Sequence, residues 1–266
     1  MNLESICNKV IELEKEVGEF LLKEVSKLKS ENVNEKGTHN YVTYVDTTSE
    51  KMLIKALSEI LPEAAFITEE ETIIQEDKQY KWIVDPLDGT TNFIHSVPLF
   101  CISIALMKDD EVILGVVYEP NLKECFYAWK GSEAYLNDKK IKVSNTSTLH
   151  NSLLATGFPY SDYESFDSYV KIFEWIILNT RGIRRLGSAA VDMCYVACGR
   201  FDGFYEYGLG PWDVAAGIII IKQAGGKIAD FSGKENYIFG KEIIATNEFI
   251  CNEIIALFAD DYYQKK

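Results

Sequence analysis

Between Ala64 and Asn137 the chain passes through six β-rich runs: "AAFIT", "YKWIVD", "FCISIALMK", "VILGVVYEP", "ECFYAWK" and "EAYLN". Charged or turn residues separate them, so the chain must build around a sheet. The middle pair, joined by Asp109-Asp110-Glu111, predicts an antiparallel hairpin. Helical periods lie before these runs. Leu3, Ile6, Val10, Leu13, Val17, Leu21, Val25 and Leu28 share one face, predicting an amphipathic helix from residue 2 to about 30. The polar stretch "ENVNEKGTHN" breaks that pattern. Asp46-Thr47-Thr48-Ser49-Glu50 then reads as a capping signature for a second helix, "SEKMLIKALSEI", ending near Pro62.

The second half alternates. A strand is expected at "SLLATGF", a helix near 164–179, a short strand around Arg184 and a helix at "SAAVDMCYVACG". The strand "FDGFYEY", the helix "DVAAGIIIIKQAG", the strands "GKIADF" and "EIIATN" and a terminal helix follow. Strands, then helices, then alternation indicate a layered α+β or α/β architecture with mixed sheets. The most plausible seam is Ser144 to Ser152. It divides an α+β half, residues 1–150, from an α/β half, residues 151–266, and the two together form one compact unit.

Charge narrows the function classes. Acidic residues outnumber basic ones 41 to 27, a formal charge of -14. Binding to a nucleic-acid polymer is not expected, because phosphate backbones need clustered Lys and Arg. An anionic membrane surface is disfavoured for the same reason. The first residues, "MNLESICNKVIELEKEV", are charged and helical in pattern, unlike a signal peptide, and no apolar run reaches the ~18 residues of a membrane span. Cys7, Cys101, Cys125, Cys194, Cys198 and Cys251 lie inside apolar stretches, as expected of reduced core residues in a cytoplasmic protein.

Three acidic clusters share one local setting. Glu69, Glu70 and Glu71 follow "AAFIT", Asp85 and Asp88 follow "KWIV", and Asp213 opens an apolar helix in "GPWDVAAG". Each has a plain structural alternative: a solvated loop, a turn bonding its own backbone, or a helix cap. Their joint occurrence at strand ends and a helix start points instead to one cleft. Hard oxygen ligands suit Mg²⁺, and with only His39, His95 and His150 there is no transition-metal pattern. Gly89-Thr90-Thr91 adds a turn that a ligand can approach closely, with successive amides suited to an anion. A metal-dependent phosphatase site is physically coherent. An Asp-x-Asp-Gly-Thr loop with an aspartate nucleophile is a competing reading, but the spacing here is Asp-x-x-Asp with a proline inside.

"DPLDGTTNF" and "PWDVAAGIIIIKQAGG", with the intervening "GSAAVDMCYVACGRFDGFYEYG", closely resemble the signatures of the inositol monophosphatase family, in the family's order. This lithium-sensitive, Mg²⁺-dependent superfamily has an αβαβα sandwich, the sugar phosphatase fold. The resemblance implies metal ligation by Glu69, Asp85, the Leu87 carbonyl, Asp88 and Asp213, with Glu70 just behind them. Thr68 stands where the family commonly has glycine. Asp46 and Thr90 match the pair that prepares the attacking water, and Gly89 and Thr90 match the phosphate-holding turn. Asp88, Gly187, Ser188, Ala189 and Glu206 match substrate contacts, while Arg184 and Arg185 are as readily ordinary solvated arginines. By the same resemblance, two or three Mg²⁺ ions serve direct hydrolysis of a small phosphate monoester, in a homodimer. Myo-inositol 1-phosphate is the leading substrate; fructose 1,6-bisphosphate, NADP(H) and adenosine 3′,5′-bisphosphate are alternatives. A non-enzymatic reading, a metal-sensing regulatory module, predicts a missing ligand, yet every matched position carries a competent side chain.

Overall fold

The computed structural model describes residues 1–27, 33–37, 40–70, 78–159 and 166–261. Helix α1 (Leu3–Val25) starts at Asn2, whose side chain accepts from the Ser5 amide at 3.1 Å. Its buried face, Ile6, Cys7, Val10, Ile11, Glu14, Val17, Gly18 and Leu21, follows the helical spacing expected. A two-stranded hairpin, β1 (Val33–Gly37) with β2 (Asn40–Thr43), occupies part of the stretch read as a polar break. Helix α2 (Tyr44–Ile60) begins earlier than the capping signature suggested. Its N-cap is Thr43, which accepts from the Val45 amide, while Asp46 Oδ2 reaches back to the Thr43 amide at 2.8 Å. Asp46 is therefore the third helical residue of a capping box, not the cap.

The first sheet has seven strands in sequential order: β3 (Ala65–Thr68), β4 (Tyr80–Asp88), β5 (Cys101–Lys108), β6 (Glu111–Glu119), β7 (Glu124–Trp129), β8 (Ala134–Leu136) and β9 (Lys139–Ile141). Only β3 and β4 are parallel; the hairpin of β5 with β6 forms as expected. Alternate residues of β5 enter two cores. Ile102, Ile104 and Leu106 pack with α1 and α2, whereas Cys101, Ala105 and Met107 pack with α5 (Ala189–Ala197) and α6 (Pro211–Gln223). Burial on both faces explains why these strands read as unbroken apolar runs.

The second sheet is ordered β11 (Gly182–Arg184), β10 (Leu153–Thr156), β12 (Gly203–Tyr207), β14 (Glu242–Thr246), β13 (Lys227–Ala229). Strand β10 is parallel to both neighbours, and β14 is antiparallel to both of its own. Its outer face is covered by α4 (Phe166–Asn179) and α7 (Cys251–Asp261), through Tyr169, Ile172, Ile176, Ile254 and Phe258. The layers therefore run helix, sheet, helix, sheet, helix, a mixed-sheet αβαβα sandwich. Among the described residues no helix is long and apolar enough to cross a membrane. All six cysteines are free.

Candidate active site

The end of β4 carries the first pair of carboxylates, and its register explains how. Asp85 pairs with Ser103 and Asp88 with Cys101, so three steps on β4 match two on β5. In a regular strand Asp85 and Asp88, three apart, would face opposite sides. The extra residue is a bulge that returns Asp88 to the inner side, where Asp85 already points. Pro86 sits inside it, where no ladder donor is needed, and Leu87 faces the outer core.

Immediately after, Gly89 caps the short helix α3 (Thr90–Ile94) with φ of 97°. A Cβ there would also lie 3.3 Å from the carbonyl oxygens of Gly187 and Leu99. Glycine is required at this position by conformation and by space. The first amides of α3 have no partner within the helix and are available to an acceptor. Thr90 Oγ1 lies 3.1 Å from Asp46 Oδ1 and 3.1 Å from the Leu87 carbonyl. Asp46 is held from behind, its Oδ2 accepting from Thr43 Oγ1 at 2.6 Å.

The opposite side comes from the inner helices. Asp213 is the third residue of α6 and its Oδ2 accepts from the Gly210 amide at 2.6 Å. That is the ordinary cap of a helix start, but the carboxylate also meets the other two. Oxygens of Asp85, Asp88 and Asp213 lie within 4.8 Å of one another. Asp88 Oδ2 in turn accepts from Ser188 Oγ at 2.6 Å and from the Ala190 amide at 2.8 Å, docking the bulge onto the start of α5. Ser188 is that helix's N-cap.

A cavity of about 200 Å³ opens over this cluster. Glu69, Asp85, Leu87, Asp88, Gly89, Thr90, Gly187, Ser188, Ala189, Glu206 and Asp213 all line it, as does Arg185. Two named residues do not. Asp46 stands behind Thr90, and Glu70, half-buried, gives its amide to Glu50 Oε2 at 2.9 Å. Glu71 lies outside the described residues, and Arg184 is exposed with its guanidinium on the Ile183 carbonyl. Asp192, which no motif singled out, also lines the cavity. Its signal in the sequence is a single carboxylate within the apolar run "SAAVDMCYVACG".

The electrostatics are one-sided. Burial, and then repulsion from neighbouring carboxylates, pushes Glu69, Asp85 and Asp213 well above the usual carboxylate range. Asp88 is raised less, because Ser188 and the α5 amides oppose the cost of burial. No described ion pair brings a lysine or arginine to any of them. An all-oxygen, buried, uncompensated donor set fits a hard divalent cation. Glu206 is pushed up to about 8 by burial, against the pull of Arg185.

Comparison with known proteins agrees with this geometry. A profile of the inositol monophosphatase family matches residues 2–261. The protein named Nus factor SuhB in Pseudomonas aeruginosa is 38% identical over 250 residues, covering 92% of both chains. An inositol-1-monophosphatase of Mesorhizobium japonicum is 35% identical over 247 residues, covering 92% of this chain and 93% of its own. Among solved structures, an inositol monophosphatase from Anabaena superimposes with a TM-score of 0.88 at 34% identity, over 100% of both chains. The extragenic suppressor protein suhB from Bartonella henselae does so with 0.90 at 38%, over 96% of this chain and 99% of that one. With fold, motif order and acidic cleft in agreement along its length, the chain belongs to the inositol monophosphatase family.

Proposed function

We propose that this chain is a cytoplasmic Mg²⁺-dependent phosphomonoesterase that converts myo-inositol 1-phosphate to inositol and phosphate. The observation that carries the reading is the convergence of Asp85, Asp88 and Asp213 beside the Gly89–Thr90 turn. These three, with Glu69 and the Leu87 carbonyl, would hold the cations. When bound, Mg²⁺ supplies Lewis-acid stabilisation of the phosphoryl oxygens and the leaving alkoxide.

The protein's own contribution is positioning and proton handling. The amides of Gly89 and Thr90 orient the phosphate. If the Leu87 carbonyl is engaged by a cation, the Thr90 hydrogen is directed to Asp46; as the attacking water gives its proton to Oγ1, the hydrogen already on Thr90 passes to Asp46 Oδ1, which ends protonated. Asp46 fixes that hydroxyl through its place in the α2 capping box. Ser188 and the Ala190 amide fix Asp88. Glu206, which lines the same cavity, would accept from hydroxyls of the alcohol. A homodimer is supported by the exposed Val170, Trp175, Ile177 and Leu178 of α4.

The test is phosphate release at fixed Mg²⁺, with and without lithium, from inositol 1-phosphate, fructose 1,6-bisphosphate, NADP⁺ and adenosine 3′,5′-bisphosphate. Preference for inositol 1-phosphate with lithium inhibition supports the reading. Preference for another compound changes the substrate and keeps the chemistry. Release from none of them overturns it.

A further inference from the structure

One buried carboxyl group in the cavity has no task in the mechanism above. Asp192 lies in the first turn of α5 and is 1% exposed. Its Oδ1 is buried without a hydrogen-bond partner among the described residues. Buried polar atoms are almost always bonded, and one left unbonded is costly. Here the unbonded oxygen belongs to a residue lining a cavity, so a donor from outside the protein can reach its surroundings.

Its neighbours say which donor. Glu206 acts on Asp192 through space, and both feel the Arg185 guanidinium. The Glu206 carboxylate is seated on the backbone of Gly157, where a Cβ would lie 2.0 Å from Oε1. Two buried carboxyl groups therefore stand within the field of one guanidinium beside the cavity. A phosphate placed there would meet more acid than base, whereas a neutral hydroxyl brings the hydrogen that Asp192 lacks.

We propose that Asp192 is a specificity-determining residue that accepts a hydrogen bond from a hydroxyl of the leaving alcohol and, with Glu206, selects neutral polyol monophosphates over substrates carrying a second phosphate. The proposal rests on the phosphomonoesterase reading and names the part of the substrate that reading leaves open. A site built to bond a hydroxyl discriminates strongly against a compound without it, because its own polar atom is then left unpaired.

The experiment compares wild type with Asp192→Leu, similar in shape but without an acceptor, on inositol 1-phosphate, fructose 1,6-bisphosphate and p-nitrophenyl phosphate, which has no hydroxyls to offer. Free myo-inositol is added as a competitor of p-nitrophenyl phosphate hydrolysis, and melting curves check the fold. The expected result is a loss of about 10- to 100-fold in kcat/KM for inositol 1-phosphate, mainly through KM. p-Nitrophenyl phosphate turnover stays unchanged, competition by inositol weakens, and the preference against fructose 1,6-bisphosphate falls. Equal losses on all three compounds, or no loss on any, would overturn the role of Asp192 and leave the phosphatase reading intact. A wild type that hydrolyses none of the three overturns both.

Discussion

Thr90 Oγ1 stands 3.1 Å from Asp46 Oδ1 and the same distance from the Leu87 carbonyl, so one hydroxyl hydrogen has two possible acceptors. Only the bond to Asp46 gives that hydrogen a carboxylate to pass to when Oγ1 takes a proton from water. Thr90→Ala should therefore lower kcat by about 10²–10⁴ with little change in KM. Thr90→Ser, which keeps the hydroxyl, should retain most of the rate. Steady-state kinetics on inositol 1-phosphate separates the two. A Thr90→Ala enzyme as fast as wild type removes this residue from the chemistry.

The uncompensated carboxylates predict a protein whose stability depends on divalent cations. Binding to the folded chain alone adds about 2.7 kcal/mol at one hundred times Kd, raising the melting temperature by about 5–10 °C for a chain of this size. Asp213→Asn should melt higher than wild type in EDTA, since one source of repulsion is gone, and should respond less to Mg²⁺. Differential scanning calorimetry with and without Mg²⁺ reads both effects.

Glu14 offers a pH prediction away from the cavity. Both its carboxylate oxygens are buried without a hydrogen-bond partner among the described residues. Burial raises its pKa well above the ordinary 4.5. Because the folded-state value is the higher one, the stability contributed by the neutral acid is complete below about pH 4.5. It is lost as pH rises through the folded-state value. Glu14→Gln, which cannot ionise, should gain on wild type by about 1–3 kcal/mol at neutral pH and by less near pH 5. Urea unfolding at the two pH values measures the difference.

Gly157 makes a packing prediction. A methyl group there would overlap the Glu206 carboxylate, at 2.0 Å from Oε1. Gly157→Ala should displace Glu206 and cost about 1–3 kcal/mol of stability. Its effect on kcat/KM should be larger for inositol 1-phosphate than for p-nitrophenyl phosphate. Parallel melting and kinetic measurements test the link.

What the sequence discloses, and what it hides, follows from how each element is buried. The strands β3 to β8 and the alternation of the second half are legible, because their apolar runs end in turn residues. The short β9, "KKI", carries two lysines and no strand pattern, so only pairing with β8 makes it a strand. The start of α2 is misplaced by reading Asp46 as a leading cap; the reciprocal bond to Thr43 can be seen only in space. Asp85, Asp88 and Asp213 can be picked out through their motifs, but the bulge that turns Asp88 inward leaves no mark beyond Pro86. Asp192 is hidden for a different reason. A lone acid in an apolar helix looks like an exception until the cavity beside it is known.

Helix α6 lies across the inner face of β4 to β7, with Val214, Ala215, Ile218, Ile219 and Ile221 in the same core as Ile83, Ala105, Val117 and Phe126. A ribosome has therefore finished all seven strands of the first sheet well before it makes the segment that covers them. Until residue 223 has emerged, the nascent chain carries a broad apolar sheet face without the helix that covers most of it. The same holds for any fragment cut between Ser144 and Ser152. A gene split there should yield two insoluble pieces that recover only when synthesised together.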